Sequence, residues 1–254
     1  MPAGFHRCRA AAILVVIVVA LVSSSVVAAA DVASIYREGT RLLKEDDFAG
    51  ALQLFERARE LDPGSSKIWV KIGLARAGLG DTEGAMEAYR RAADLDPGNV
   101  KALNNAANVY YRQGRYDEAA EWYLKALEID PDYILAGYHY GWILRHENRL
   151  EEAEKMFTHV VQQQPANDRD RRTQIEALYF LGAISFRNGA FERTATIMER
   201  VIAAIPNHPE ARYYLAMAYR SIGRDEEARE QLEIHKEITR SVHRERPVEK
   251  KSPS

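Results

Sequence analysis

Prolines recur in this chain at a constant interval of 34 residues, at Pro63, Pro97, Pro131 and Pro165. An aspartate precedes each of the first three. An interval of this length is typical of a repeated pair of helices, which cannot bury its apolar side alone and needs a copy of itself on either side. The chain is therefore predicted to be a stack of similar units, each in contact mainly with its neighbours.

Two columns of small residues predict where the helices of one unit meet. With the proline as position 32, the six frames begin at Val32, Ser66, Val100, Ile134, Ile175 and Pro209. Position 8 holds Gly39, Gly73, Ala107, Gly141, Gly182 and Ala216, and position 20 holds Ala51, Ala85, Ala119, Ala153, Thr194 and Ala228. Two antiparallel helices approach closely only where one presents almost no side chain, so both columns indicate helix–helix contact.

Two further columns predict a turn and a wedge. Position 15 holds residue types that tolerate the left-handed backbone after a helix end, namely Asp46, Gly80, Gly114, Asn148, Gly189 and Gly223. Position 24 holds large side chains that are expected to fill the gap between one unit and the next, namely Phe55, Tyr89, Tyr123, Phe157, Met198 and Leu232. Proline at position 32 cannot continue a helix and is expected to end each unit.

This set of columns resembles the tetratricopeptide repeat (TPR) family, whose 34-residue helix–turn–helix pattern it follows. The resemblance implies an all-α, right-handed superhelical solenoid of about six units over residues 31–243. The repeats are expected near residues 32–65, 66–99, 100–133, 134–167, 175–208 and 209–243. The departures are local: Arg76 and Ser185 replace the usual tyrosine at position 11, and the sixth copy lacks the closing proline.

Residues 1–30 do not share the repeat. A basic start at residues 6–9 precedes an apolar run from Ala10 to Val22, and residues 28–30 offer an A-x-A cleavage site. This order predicts a secretory signal peptide. The run is shorter than a bilayer span requires, but its extension to Ala30 leaves an uncleaved signal anchor as the alternative. In both cases the repeats are expected outside the cytoplasm, in the periplasm or the extracellular space.

Seven extra residues interrupt the period around residues 168–174. Asp168 suits a helix N-cap and the residues after it suit a helix, so the fifth unit is predicted to begin with a longer helix. The last helix is expected to run from Asp225 through His243, with the polar surface that a terminal helix requires. Residues 244–254 are charged and lack an apolar anchor, which predicts a disordered tail.

No catalytic motif emerges from the sequence. It contains no G-x-S-x-G elbow, no phosphate-binding glycine loop and no H-E-x-x-H pair. The only cysteine, Cys8, precedes the apolar run, and His139 and His146 lack the further ligands that a metal site needs. The net charge of −2 argues against broad nucleic-acid attraction. We therefore expect no enzymatic activity, no cofactor, no metal and no nucleic-acid partner.

In TPR proteins the first helix of each unit lines a concave groove, chiefly through positions 2, 5, 9, 12 and 13. By this resemblance, units four to six contribute Leu135, Tyr138, Trp142, Arg145, His146, Tyr179, Phe186, Arg187, Tyr213, Met217 and Arg220. Aromatic rings bury large areas at low entropy cost and guanidinium groups pair with carboxylates, so this set predicts a peptide groove. Packing between neighbouring units is the alternative for the aromatic residues. Units one to three contribute a more polar set, namely Lys67, Lys101, Asn104 and Asn108, whose amides suit an extended peptide backbone.

Family resemblance and predicted export together imply a non-catalytic protein–protein interaction scaffold. It would hold a peptide or a partner subunit in the groove during assembly of an envelope complex. Two alternatives stay open: a structural protein that associates with a second copy, and a glycan-binding module that uses the same aromatic surface. The lysine and asparagine clamp by which some TPR proteins hold a C-terminal carboxylate is not reproduced, because its frames contain Val70, Leu74, Asn105, Leu135 and His139. Contact with a membrane is expected only through an uncleaved N-terminal anchor.

Overall fold

The computed structural model describes residues 31–245 as a series of helices. The predicted signal peptide and residues 246–254 of the predicted tail lie outside the described residues. Between residues 31 and 245 there are twelve helices and no strand. In chain order they are α1 (31–44), α2 (Phe48–Leu61), α3 (Ser66–Gly78), α4 (Thr82–Leu95), α5 (Val100–Arg112), α6 (Tyr116–Ile129), α7 (Ile134–His146), α8 (Leu150–Gln162), α9 (Asp168–Arg187), α10 (Phe191–Ala204), α11 (Pro209–Ser221) and α12 (Asp225–Glu245). The predicted all-α fold of paired helices is confirmed.

The helices form two compact units. Unit 1 ends at Trp122 and unit 2 begins at Tyr123, so the boundary lies inside α6. In unit 1, α3 packs against α4, and in unit 2 the pairs are α7 with α8, α9 with α10 and α11 with α12. Each unit has its own hydrophobic core, centred on Phe55 and Ile72 in unit 1 and on Phe157 and Met198 in unit 2. These pairs are the predicted repeat, because two helices joined by a short turn bury one apolar stripe between them.

Every residue at position 15 adopts the left-handed backbone that the sequence predicts. The φ angles are 58° at Asp46, 81° at Gly80, 74° at Gly114, 64° at Asn148, 75° at Gly189 and 81° at Gly223. These are all of the positive φ angles between residues 31 and 245. The turn between the two helices of a repeat is thus set by a single residue, which is glycine in four repeats and a short polar residue in two.

The small residue at position 8 and the large residue at position 24 pack directly against each other within one repeat. A Cβ atom added to Gly73 would lie 2.5 Å from a ring carbon of Tyr89, and one added to Gly141 would lie 2.9 Å from a ring carbon of Phe157. Both rings are almost completely buried. The two columns are therefore a coupled pair. The Phe157 ring also stacks on Phe180 of the next repeat, with 5.5 Å between the ring centroids, which agrees with the predicted wedge between neighbouring units.

Position 11 connects a repeat to the one before it, through the side chain at position 25 of the preceding second helix. The pairs are Arg76 with Glu56 at 3.3 Å, Arg90 with Tyr110 at 3.2 Å and Tyr219 with Glu199 at 2.6 Å. Arg76 replaces the usual tyrosine and still makes this connection. Ser185, the other departure, is too short to do so, and its buried hydroxyl has no hydrogen-bond partner among the described residues.

The seven extra residues extend the first helix of the fifth repeat, as predicted. The N-cap differs from the prediction: Asn167 caps α9 by accepting a hydrogen bond from the Asp170 N–H at 3.0 Å, and Asp168 is the first helical residue. The Gln174 side chain donates to the carbonyls of Val160 at 2.9 Å and Gln163 at 2.8 Å, which fastens the added turns to the end of α8. The backbone of Asn167 is extended, which is typical of an N-cap residue, whereas Asp168 is already helical.

The last helix, α12, ends at Glu245, two residues beyond the prediction. It packs against α11. The ring nitrogen Nδ1 of His235 lies 2.9 Å from the carbonyl oxygen of Pro209, which connects α12 to the start of α11.

Candidate functional site

The first helices of neighbouring repeats lie closer together than the second helices do. In unit 2, α7 contacts α9 and α9 contacts α11, whereas no comparable contact joins α8 to α10 or α10 to α12 in the part of the chain described. In unit 1, α3 contacts α5 in the same way. Repeats that approach on one side form a concave surface on that side. We call this surface the inner face of each unit: α7, α9 and α11 in unit 2, and α1, α3 and α5 in unit 1.

The inner face of unit 2 carries a continuous series of aromatic rings. The predicted residues Tyr138, Tyr179, Phe186 and Tyr213 all belong to it, and two further residues, Phe180 and Tyr214, join them. The centroid distances are 6.2 Å for Tyr138–Phe180, 5.2 Å for Tyr179–Phe180, 6.1 Å for Tyr179–Tyr214, 5.4 Å for Phe186–Tyr214 and 6.1 Å for Tyr213–Tyr214. These separations are typical of attractive ring pairs.

Phe180 and Tyr214 are the residues that the sequence prediction missed. Both stand at position 6, next to the position 5 tyrosines Tyr179 and Tyr213. A signal was present, because position 6 carries large or charged side chains in five of the six repeats, the exception being Asn105. The groove positions taken from the family pattern did not include this column.

Some of the aromatic residues pack against the core of unit 2, and others are exposed at the surface. Tyr138, Trp142 and Tyr179 are half-buried and pack against the core of unit 2. Trp142 also stacks on His146, with 5.2 Å between the ring centroids. Tyr213 is 44% exposed and offers the largest free aromatic area of the set. Burial raises the pKa of the Tyr179 hydroxyl to about 12, so its phenol is a neutral hydrogen-bond donor at physiological pH.

Three arginines belong to the same helices as these rings. The Arg145 guanidinium carbon is 4.9 Å from the centroid of the Phe180 ring, a cation–π geometry. Arg187 and Arg220 are exposed. None of the three pairs with an acidic side chain between residues 31 and 245. Their charges are thus available to a carboxylate from outside. Met217, which stands between Tyr214 and Arg220 in the sequence, is half-buried.

The inner face of unit 1 is polar and carries lysines. Lys67 and Lys101 are exposed and Asn108 is half-buried. Lys71, a position 6 residue absent from the predicted set, is half-buried, with its ammonium nitrogen 5.7 Å from the centroid of the Tyr36 ring. The pKa of Lys71 is lowered, first by burial and then by the positive charges of Lys101 and Lys44.

Two of the predicted groove residues are buried. Leu135 is 7% exposed and Asn104 is 1% exposed, and the Asn104 side-chain oxygen has no hydrogen-bond partner among residues 31–245. In this conformation neither offers surface to a ligand, which differs from the prediction. The reason is that a neighbouring helix covers part of each first helix, and the register within one helix does not show which part.

In the described part of the chain, no three histidine, cysteine, aspartate or glutamate side chains are arranged to hold a metal ion. His139 stacks on Tyr123 at 5.5 Å, and His146 stacks on Trp142, so each has a packing role in unit 2.

Sequence models of one repeat family match the chain in four stretches. Each is described as a tetratricopeptide repeat, and they cover residues 36–100, 100–133, 138–167 and 185–241. The chain belongs to the tetratricopeptide repeat family. The match over residues 100–133 has the same limits as the third predicted repeat. A comparison with curated proteins gives no match.

Several solved structures share this fold. PilF of Pseudomonas aeruginosa is similar with a TM-score of 0.69 and 16% identity, covering 86% of this chain and 99% of its own. YrrB, described as a TPR protein with an unusual peptide-binding site, has a TM-score of 0.60 and 22% identity, covering 75% of this chain and 96% of its own. MamA of Desulfovibrio magneticus RS-1 has a TM-score of 0.57 and 20% identity, covering 69% of this chain and 96% of its own. At these identities the likeness shows the fold alone.

Among the helices between residues 31 and 245, none combines the length and the apolar character that a membrane span requires.

Proposed function

We propose that this TPR protein is a non-catalytic interaction scaffold outside the cytoplasm, which holds a peptide segment or partner subunit on the inner face of unit 2 during assembly of an envelope complex. The observation that carries the proposal is the combination of partly exposed rings and unpaired arginines on α7, α9 and α11. TPR proteins as a class mediate protein–protein interactions, and YrrB, which has a similar fold, contains a peptide-binding site.

The chemistry of this surface suits a peptide with an apolar side chain and a carboxylate. Aromatic side chains and arginine are enriched at interfaces because rings lose little entropy on binding and the guanidinium binds carboxylates in a bidentate geometry. Tyr213 supplies exposed ring area, and Arg220 stands seven residues later on the same helix, about two turns away. The Tyr179 hydroxyl, neutral at physiological pH, can donate to a peptide carbonyl.

Crosslinking and affinity capture from the envelope fraction test this proposal. The chain carries an affinity tag and is compared with a Tyr213→Ser, Met217→Ser variant. Tyr213 is preferred to Tyr138 and Tyr179 because those two rings also support the core of unit 2. Leu61→Ser is the matched control, since Leu61 is 47% exposed and lies on a second helix of unit 1.

We expect the wild-type chain and the control to capture the same partner, and the double variant to lose it while keeping its helical circular dichroism. Equal capture by all three proteins would refute a site on the inner face of unit 2. Recovery of only a second copy of this chain would support self-association instead.

The proposed location rests on residues 1–30 and needs its own test. N-terminal sequencing of the chain recovered from its native envelope is expected to begin after the A-x-A site at residues 28–30. A chain that retains residue 1 and fractionates with the cytoplasm would contradict export.

A further inference from the structure

The histidines of this chain are concentrated beside the aromatic residues of unit 2. Six of the seven stand between residues 139 and 243, and the sequence from 31 to 122 contains none. Four of them contact a ring of the inner face, with centroid distances of 5.1 Å for His139–Tyr138, 5.2 Å for His146–Trp142, 4.8 Å for His208–Tyr179 and 5.7 Å for His235–Tyr213. Histidine is the side chain whose charge ordinarily changes between about pH 5 and 8, so a change of pH in this range can alter the charge next to these rings.

His208 caps the N-terminus of α11 with a ring nitrogen that also faces a carboxylate. Its Nδ1 accepts a hydrogen bond from the Ala211 N–H at 3.3 Å, and the same atom lies 3.2 Å from Oε2 of Glu210. A ring nitrogen that accepts from an amide carries no proton, so this bond belongs to the neutral ring. With a proton on Nδ1 the bond to Ala211 is lost, and Nδ1 becomes a donor to the Glu210 carboxylate. The two hydrogen bonds therefore exclude each other, and protonation selects between them.

His235 differs because its hydrogen bond survives protonation. Its Nδ1 lies 2.9 Å from the carbonyl oxygen of Pro209, and since a carbonyl oxygen only accepts, this nitrogen carries the proton in the neutral ring. A second proton goes to Nε2 and leaves the bond to Pro209 in place. Tyr213, which contacts His235, therefore keeps its support at low pH, whereas Tyr179 contacts a histidine that loses the bond holding it in position.

We propose that His208 is a pH switch for the inner face of unit 2, an inference about regulation that rests on the proposed function. The neutral ring caps α11 and packs against Tyr179, and the surface holds its partner. Protonation transfers Nδ1 from Ala211 to Glu210, which leaves an amide in the first turn of α11 without its cap and moves the ring that supports Tyr179. Because α11 also carries Tyr213 in its second turn, the partner is released as the pH falls.

The charged groups around His208 leave Glu210 as the partner of its protonated ring. The titratable and charged groups near His208 and near the Tyr179 ring are Glu176 and Tyr179 of α9, Arg145 of α7, Glu210, Arg212 and Tyr214 of α11, and His235 of α12. Arg212 donates to a carbonyl of the preceding loop at 2.9 Å, and Arg145 contacts the Phe180 ring, so each of these cations has another contact. Since Glu210 would compensate the imidazolium charge locally, protonation adds little to the attraction between the arginines and an acidic partner.

Nuclear magnetic resonance of the full mature chain follows the switch without a partner. The resonance of the Ala211 amide proton is expected to move upfield as the pH falls from about 7.5 to about 5.5, because this proton loses its hydrogen bond, and its midpoint should match that of the His208 ring resonances. In Glu210→Gln the midpoint is expected to move to lower pH, because the protonated ring no longer has a carboxylate partner. An Ala211 amide that does not respond, or a midpoint that Glu210→Gln leaves unchanged, would refute the exchange.

Affinity capture from the envelope fraction, without crosslinker, links the exchange to binding. The wild-type chain is expected to capture about fivefold less partner at low pH than at neutral pH, the factor that corresponds to the loss of one N-cap hydrogen bond. His208→Asn supplies a cap that does not titrate, so its capture is expected to be the same at both pH values.

His235→Gln is the matched control, because it removes the histidine under the other groove tyrosine and is expected to keep the pH dependence of the wild-type chain. Persistence of the pH dependence in His208→Asn, or its loss in His235→Gln, would overturn the assignment to His208. A partner that itself responds to pH would be captured with the same dependence by all three proteins, which also contradicts the proposal.

The switch and the proposed function fail in different ways. If Tyr213→Ser, Met217→Ser loses the partner while capture by the wild-type chain does not depend on pH, the proposed function stands and the switch is wrong. If the wild-type chain captures no partner at either pH, the proposed function is wrong, and regulation of binding by His208 is wrong with it, whatever the Ala211 amide shows.

Discussion

The pairing of position 8 with position 24 gives the sharpest stability prediction. In Gly73→Ala the new methyl group would lie 2.5, 2.7 and 2.9 Å from three ring atoms of Tyr89, which is 1% exposed. Relieving this overlap requires a shift of a rigid buried ring, at a cost of about 1–3 kcal/mol. Alanine in place of glycine within a helix returns about 1 kcal/mol. We therefore expect Gly73→Ala to lower the free energy of unfolding by about 0–2 kcal/mol.

Gly182→Ala is the matched control, because the same position in the fifth repeat faces methionine. The nearest atom, at 2.6 Å, is the terminal methyl carbon of the flexible Met198 side chain, and Ile197 Cγ2, at 3.0 Å, has to shift by only a few tenths of an ångström. Here the helix-propensity gain is expected to prevail, giving a change between zero and about 1 kcal/mol in favour of the folded state. Urea unfolding followed by circular dichroism measures both variants.

The ranking of the two variants is the critical result. The midpoints of the two expected ranges lie about 1.5 kcal/mol apart, with Gly73→Ala the less stable variant, which corresponds to roughly 3–6 °C in melting temperature. Gly73→Ala should cost less stability in a chain that already carries Tyr89→Leu than in the wild-type chain, because the ring that it overlaps is then absent. If Gly73→Ala is as stable as Gly182→Ala, the coupling of the two columns is refuted.

Four further substitutions test the same structure. Asn148 and Gly114 both have positive φ, which glycine adopts more easily than other residues. Asn148→Gly is therefore expected to raise the free energy of unfolding by up to about 1 kcal/mol, and Gly114→Ala to lower it by about 1 kcal/mol. The midpoints of urea unfolding should shift in opposite directions for the two variants. Lys71→Met is expected to raise stability by about 0.5 kcal/mol by removing a repelled charge, and a lower melting temperature would contradict this. The pKa of Tyr179 is raised to about 12 in the folded chain, so the folded state holds this proton more tightly; stability should fall as pH rises from about 10 to about 12, and Tyr179→Phe should make the fall shallower in melting curves.

Much of the fold is encoded locally and was predictable for that reason. The turn at position 15 depends on one residue's backbone preference, so Asp46 and Asn148 were recognisable beside the glycines before any contact was known. The longer α9 follows from helix-compatible residues after Asn167. Small residues at position 20 are buried in every repeat, since two helices meet there in each copy.

The site depended on contacts between helices, and the sequence predicted it less completely. Phe180, Tyr214 and Lys71 all stand at position 6, and their importance comes from the neighbouring first helix that each side chain faces. Leu135 and Asn104 stand at groove positions but are covered. The period of one helix determines which side chains share its face, so the sequence determined the repeats, their turns and their buried columns. Which part of that face a neighbouring helix covers depends on the distance and angle between helices, and only the tertiary structure decided it.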